Sequence, residues 1–309
     1  MNIFYCLLLY KGRNKSSDYI EQNNTITSFD NDNSWVVLSP IEKQIKEKIE
    51  RIGTPLKDWD INIYRGVLTG YNEAFIIDGK KKNELIAEDP KSAEIIRPIL
   101  RGRDIKRYSY EFADLWLINA HNGIKEKEIP PIDITQYPAI KKHLDHYYPE
   151  IAKRYDKGDT PYNLRNCVYM EDFSKQKIIY PNMTKYLPFV YDDQGFMTNQ
   201  KCFIITGEDT AYLTAFFNSS LFKFCFRDNF PELLGGTREL SKIFFDKIPV
   251  KPVDKELEEK FRQIINTIQI KKKENIDTID LELKIDNIIF DIYGLNKEEK
   301  EAVGFIEIK

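Results

Sequence analysis

The chain changes character at Pro252, and that change constrains the fold more than any motif does. Beyond it, "ELEEKFRQIINTIQIKKK" and "IDLELKIDNIIFDIYGL" run without an internal proline and repeat apolar residues at helical spacing. Before it, "WDINIYRGVLTGYNEAFIIDG" (59–79) alternates and is punctuated by Gly66, Gly70 and Gly79, the pattern of strands with a loop at "LTGYNE". Strands in one region and helices in the next give an α+β fold. We divide the chain into a connector at 1–34, a β-containing domain at 35–252 and a helical C-terminal segment at 253–309.

Within the middle region, "SPIEKQIKEKIERIG" predicts a helix. Ser39 stands at the N-cap, Pro40 at the first helical position and Glu42 three residues after the cap. Ile41, Ile45, Ile49 and Ile52 form the stripe, and Gly53 ends it. A short helix is expected from Asp89-Pro90 toward Ile96, followed by a strand at "LWLIN". "YPAIKKHLDHYYPEIAKRY" reads as helix broken by Pro149. A QG turn between "PFVYDD" and "FMTNQKCFIITGE" predicts a hairpin, and "TAYLTAFFNSSLFKFCF" (210–226) an apolar helix. No internal repeat is present.

Charge is unevenly placed. Residues 254–309 hold 14 acidic and 10 basic side chains of totals of 49 and 46, which leaves 35 acidic against 36 basic elsewhere. The net charge of −3 therefore belongs to the tail. Arg97, Arg101, Arg103, Lys106 and Arg107 fall within eleven positions, opposed only by Asp104. Four cysteines far apart, without CxxC spacing, fit a reducing cytoplasm and argue against zinc and disulfides. The apolar opening "MNIFYCLLLYKG" is too short to span a bilayer and lacks the basic flank of a secretory signal. A cytoplasmic location and no membrane partner are expected.

Catalytic signatures are missing. There is no GxGxxG or P-loop, and the lone Pro-Pro in "IPPID" lacks the flanks an amino-methyltransferase needs to hold a flipped base. His143 and His146 form an HxxH pair without further ligands, so no metal is expected. "DLELK" (Asp280, Glu282, Lys284) lies in a helical stretch whose stripe is Ile276, Ile279, Leu283 and Ile288, and reads as a solvated face rather than a nuclease site. We expect no catalytic residue and no cofactor in this chain.

Four polar or basic loops remain. Beside the 97–107 run, "AKRYDKGDTPYNLRNCVY" offers Lys153, Arg154, Lys157, Tyr162, Asn163, Arg165 and Asn166. "LTGYNE" offers Thr69, Tyr71 and Asn72, and "GGTRELSK" offers Thr237, Arg238 and Lys242. Arg and Lys suit phosphates, and Arg and Asn pair bidentately with guanine and adenine edges. Taken alone, the residues leave a solvated surface and a DNA-facing surface both open.

The order of segments adds to this. "GTPLKDWDINIYRGVLTGYNEAFIID", "LIAEDPKSAEIIRPILRGRDIKRY", "TPYNLRNCVYMEDFSKQKIIYPNM" and "AYLTAFFNSSLFKFCF" together resemble the TaqI-like C-terminal specificity domain of adenine-specific DNA methyltransferases and type IIG restriction–modification enzymes. The likeness runs over roughly 35–300. It implies a target recognition domain that reads double-stranded DNA for a separate adenine-specific methyltransferase, or methyltransferase–nuclease, domain or subunit. S-adenosylmethionine would be held by that other domain, of which 1–34 would be a remnant. On this footing Arg101, Arg103, Lys106, Arg107, Lys157 and Arg238 are expected to contact phosphates. Thr69, Tyr71, Asn72, Tyr162, Asn163, Arg165 and Asn166 are expected at or near bases. The competing reading is an interaction or assembly remnant of such a system that does not bind DNA alone. It predicts association insensitive to salt.

Overall fold

The computed structural model describes residues 39–306, together with the backbone of two short antiparallel strands, Phe4–Cys6 and Thr25–Thr27, that pair with each other. The rest of the expected connector lies outside the described residues.

The helix at 39–53 forms as its sequence dictates. In α1 (Pro40–Ile52) the Ser39 hydroxyl accepts from Glu42 N at 3.3 Å, and the Glu42 carboxylate accepts from Ser39 N at 2.6 Å. Both orphan donors are satisfied reciprocally, and Ile45 and Ile49 point into the core.

Two four-stranded sheets follow. The first joins β1 (Ile61–Arg65), β5 (Lys177–Pro181), β6 (Val190–Asp192) and β8 (Cys202–Gly207) in the order β6-β5-β8-β1, all antiparallel. The second joins β2 (Ile76–Asp78), β3 (Ile96–Leu100), β4 (Leu115–Ile118) and β7 (Met197–Thr198) in the order β7-β3-β4-β2. There only β7 and β3 run parallel. The first sheet is the shared wall of two hydrophobic cores. Ile178 and Tyr180 of β5, Tyr191 of β6 and Ile205 of β8 face a helical core. Their neighbours Ile179, Val190 and Ile204 face the core around the second sheet. Side chains alternate across a strand, so a strand with apolar cover on both faces reads as an unbroken apolar run, as "KIIYP" does.

The expected QG hairpin does not form. β6 pairs with β5 in the first sheet, while β7 pairs with β3 in the second, so Asp193–Phe196 cross between sheets. Asp192 organises this crossing. Its carboxylate accepts from Gln194 N and Phe196 N, and pairs with Lys177 in full burial. The local signal, two β-like runs around a glycine, was correct for strands and silent about partners.

The 210–226 segment is two helices, α4 (Thr210–Asn218) and α5 (Ser220–Phe226). Ser219 interrupts them and its hydroxyl caps α5 through Phe222 N at 3.1 Å. The 89–96 segment is a short 3-10 turn, Pro90–Glu94, leading into β3. "GKKKNELIAE", for which the sequence sets no expectation, is helix α2 (Gly79–Glu88), N-capped by Asp78 through Lys81 N at 2.7 Å. The broken helix around Pro149 is present as α3 (Pro138–Asp145) and a short helix Tyr148–Lys153.

The tail folds as helices α6 (Lys255–Lys273), α7 (Ile279–Ile292) and α8 (Lys297–Val303). It shares the helical core: Phe261, Ile265, Ile285 and Ile289 join Ile45, Ile178, Phe216 and Phe222 in one cluster. Position 252 thus separates compositions rather than cores. Ile276 and Ile279, expected in the stripe, are exposed. The buried face of α7 instead carries Ile285, Ile289, Phe290, Glu282 and Asp286. Several tail carboxylates cap helices of the middle region. Glu258 accepts from Ala211 N and Tyr212 N at 3.1 and 2.6 Å, and Asp286 accepts from Ser220 N at 2.9 Å. Anionic groups at helix N-termini satisfy free amides and oppose the positive end of the dipole. Part of the tail's acidity is therefore internal. Among the described residues no helix is long and apolar enough to cross a membrane.

Candidate nucleic-acid interface

The basic run leaves β3 at Leu100 and turns sharply. The turn is locked by Asp104, which accepts from Arg101 N at 2.8 Å and from the Arg101 guanidinium at 2.9 and 2.8 Å. A two-residue hairpin, Ile105–Lys106 against Ser109–Tyr110, follows. Across it the cations alternate in direction. Arg103 and Lys106 are exposed, whereas Arg107 is buried, 3.1 Å from Glu282 of α7, and donates to Ile306 O at 3.2 Å.

This segment forms one wall of a cleft of about 970 Å³. Residues 181–188 and 199–201 form the facing walls, and Lys272 of α6 reaches in from the tail. Among the described residues, seven basic side chains line it (Arg101, Arg103, Lys106, Arg107, Lys185, Lys201 and Lys272) and no Asp or Glu does. Four of the seven have carboxylate partners: Arg101 with Asp104, Lys106 with Glu111 at 3.5 Å, and Arg107 and Lys272 with Glu282. Arg103, Lys185 and Lys201 have none within 4.0 Å among the described residues, and all three are exposed. A concave wall of one sign concentrates potential and draws polyanions. Lys185, Lys201 and Lys272 were not singled out in the sequence. Lys185 and Lys201 are isolated lysines and Lys272 belongs to the lysine run that ends α6, so only folding assembles them.

Glu282, expected on a solvated face, is buried and holds Arg107, Lys272 and Thr278 Oγ1. Arg238, expected at phosphates, lies outside the cleft lining. It is buried, donates to Phe230 O at 2.8 Å, and pairs with Asp228 and Glu232 at 2.8 and 2.9 Å. Arg107 and Arg238 thus have their charges engaged inside the fold.

A second cluster gathers the remaining residues around Arg154. Its guanidinium, 7% exposed, donates to the carbonyls of Thr69, Ile151, Asp156, Pro161 and Asn163 and stacks over Phe75 at 4.4 Å. One side chain therefore ties "LTGYNE" to the 152–166 loop. Burial draws its pKa down to about 10, still well above neutrality. Thr69 is buried and donates to Asn72 Oδ1 at 2.6 Å. Asn163 is buried, donating to Ile132 O at 2.9 Å and accepting from Thr160 Oγ1 at 2.6 Å. Tyr162 donates to Asp145, and Tyr71 packs half-buried against Tyr147. The exposed members are Asn72, Lys157, Arg165 (3.0 Å from Asp156) and Asn166.

The two clusters are joined by the chain leaving β1. Val67 pairs with Asn199, a cleft residue, and Gly70 lies against Arg154 and Asp156. Three residues span at most about 11 Å, so cleft and loops sit side by side. Gly66 allows that approach, since a Cβ there would lie 2.0 Å from Asn199 O. His143 faces Ala74 O at 2.9 Å, and among the described residues no cluster of three metal-ligating side chains occurs.

Comparison with known proteins now decides the family. Residues 97–250, which contain the basic wall and both loops that face it, match the family model of the TaqI-like C-terminal specificity domain. The chain carries such a domain. Type II methyltransferase M.MjaIV of Methanocaldococcus jannaschii is 26% identical to it over 243 residues, 75% of this chain and 78% of that protein. The fold recurs in the type IIL restriction–modification enzyme MmeI, solved in complex with DNA. There the TM-score is 0.57 at 12% identity, covering 81% of this chain and 35% of that one. It recurs also in the type IIG restriction endonuclease BpuSI, with a TM-score of 0.50 at 13% identity, covering 82% and 33%. The chain thus spans about a third of those solved enzymes. The specificity-domain match begins at Arg97 and ends at Val250, so α1, β1 and the tail helices frame it from outside while sharing its core.

Proposed function

We propose that this chain reads double-stranded DNA as the target recognition module of a type IIG-like, adenine-specific restriction–modification system. One observation carries the reading: among the described residues the cleft collects seven basic side chains and no acidic one, in a protein whose net charge is −3. In this reading Arg103, Lys106, Lys185 and Lys201 contact phosphates, with Arg101 and Lys272 set at the cleft wall by their carboxylates. Asn72, Arg165 and Asn166 are the exposed planar side chains available to base edges, with Lys157 beside them for the backbone. Tyr71 and Tyr162 support those loops; Thr69 and Asn163 shape them. Methyl transfer, with S-adenosylmethionine and the flipped adenine, belongs to a partner methyltransferase or methyltransferase–nuclease domain or subunit. The module acts where the DNA is, in the cytoplasm.

The test is a fluorescence-anisotropy titration of the chain against a randomised duplex pool at two salt concentrations, followed by sequencing of retained molecules. Salt-sensitive binding with an enriched short motif is expected. Absence of binding at low salt would overturn the reading in favour of an assembly role.

A further inference from the structure

The lip of the basic cleft has a feature that phosphate binding does not use. Met183–Thr184, both cleft residues, pair antiparallel with Arg238–Glu239, and this register carries the loop preceding Arg238 toward the side of the cleft segment that follows Thr184. That loop, "ELLGGT", is closed by Leu233 N donating to Thr237 O at 2.6 Å and by a Glu232–Arg238 bridge. At its tip Leu234 is 100% exposed and Leu233 40%. Gly235 and Gly236 follow with φ of +78° and +76°, and nothing lies within 4 Å of where their Cβ atoms would be. On the adjoining strand Met183 and Tyr186 are 50% and 55% exposed.

An exposed leucine alone is ordinary. A leucine with no shielding at all, on a narrow glycine turn braced from behind by a buried arginine, is a projecting side chain rather than a face. A protein partner docks on a contiguous patch of roughly 800 Å² per side, which a tip flanked by two glycines does not offer. The carboxylates of Asp228 and Glu232, which precede it in the chain, are both paired with Arg238. Among the described residues, every charged side chain lining the adjoining cleft is a cation.

We infer that Leu234, with Leu233 behind it, is a wedge that enters the base stack of a duplex held in the basic cleft, with Tyr186 beside it as a stacking surface for the parted base. Apolar wedges that part a base step lose the stacking there and kink the duplex. Stacking of the parted base on an aromatic ring offsets part of that loss. The inference rests on the DNA-recognition reading and specifies where on the cleft the duplex is deformed.

The experiment uses the full chain and a duplex recovered from the randomised pool, with 2-aminopurine scanned through each position. Its emission rises when the base is unstacked. The wedge predicts a several-fold rise at one step, lost in Leu234→Ser, whose side chain touches nothing and whose fold is therefore kept. The dependence of affinity on salt should be the same in both proteins. Tight binding with no rise at any position, or an equal rise with Leu234→Ser, overturns the wedge and leaves DNA recognition standing. Failure of the wild-type chain to bind any duplex overturns both.

Discussion

Arg154 offers the sharpest test of how the recognition loops are held. It is a buried cation without a carboxylate partner, compensated by five backbone carbonyls and the face of Phe75. Asp156 and Pro161 lie near the surface, where water replaces a lost donor, and the bond to Ile151 O, at 3.3 Å, is the longest of the five and does not enter the sum. Thr69 O and Asn163 O are buried, and only Asn163 O has a second donor, Gly158 N at 3.0 Å. Arg154→Met keeps apolar bulk over Phe75 and removes the donors. Each lost charge-assisted bond to a buried carbonyl is worth about 1.5–3 kcal/mol, so two cost about 3–6. Removing the desolvated charge returns part of this, leaving about 3 kcal/mol. With an m-value of about 3 kcal/mol/M, the urea midpoint falls by about 1 M. Arg154→Lys recovers less than half, because one ammonium cannot reach Thr69, Pro161 and Asn163 in the directions the guanidinium fork serves. Hydrogen exchange at Gly158 N and Leu164 N would report the loosened loop directly. A midpoint within about 0.2 M of wild type for Arg154→Met would refute the assignment of Arg154 as the tie between the loops.

Other consequences follow from single features. Gly66→Ala forces a Cβ to within 2.0 Å of Asn199 O, so the cleft wall must shift. We expect a loss of several kcal/mol in chemical denaturation, unlike the roughly neutral result of the same change at an open site. Burial lowers the pKa of His121 and of His143. The unfolded chain therefore takes up protons first as pH falls below about 6.5. Stability should be full above that pH and decline below it until the folded-state values are passed. Urea midpoints from pH 8 to 5.5 would show the decline, and His143→Gln should flatten it. Residues 35–252 alone lack Phe261, Ile265, Ile285 and Ile289 and leave the amides of Ala211, Tyr212 and Ser220 uncapped. Near-UV circular dichroism of that fragment should show no fixed aromatic packing.

Local chemistry was legible in the sequence wherever it determines local structure. The Ser39–Glu42 box and Pro149 act within a few residues, and each appears as expected. Partners were not legible. The QG turn could not show that β6 and β7 enter different sheets, nor could periodicity show that Glu258, Glu282 and Asp286 serve buried donors. A carboxylate on a helix looks solvated until the element it caps is known. The site divides the same way. Of the expected phosphate contacts, Arg103, Lys106 and Lys157 are exposed, Arg101 is held by Asp104, Arg107 is drawn inside by Glu282, distant in sequence, and Arg238 by Asp228 and Glu232 of its own loop region. Lys185 and Lys201 gained their place only when residues 181–188 and 199–201 folded against the basic hairpin.

The central claim is that the cleft holds DNA by its phosphates. The most direct measurement is duplex affinity against salt concentration for the wild-type chain and for a variant carrying Arg103→Ala, Lys185→Ala and Lys201→Ala. Each phosphate contact contributes about −0.9 to the slope of log K against log[salt]. Four exposed cleft cations predict a wild-type slope of about −3.6 or steeper, and an affinity loss on the order of 100-fold between 50 and 200 mM salt. The variant should be shallower by about 2.7. Equal slopes for the two proteins would place the DNA elsewhere and contradict the account.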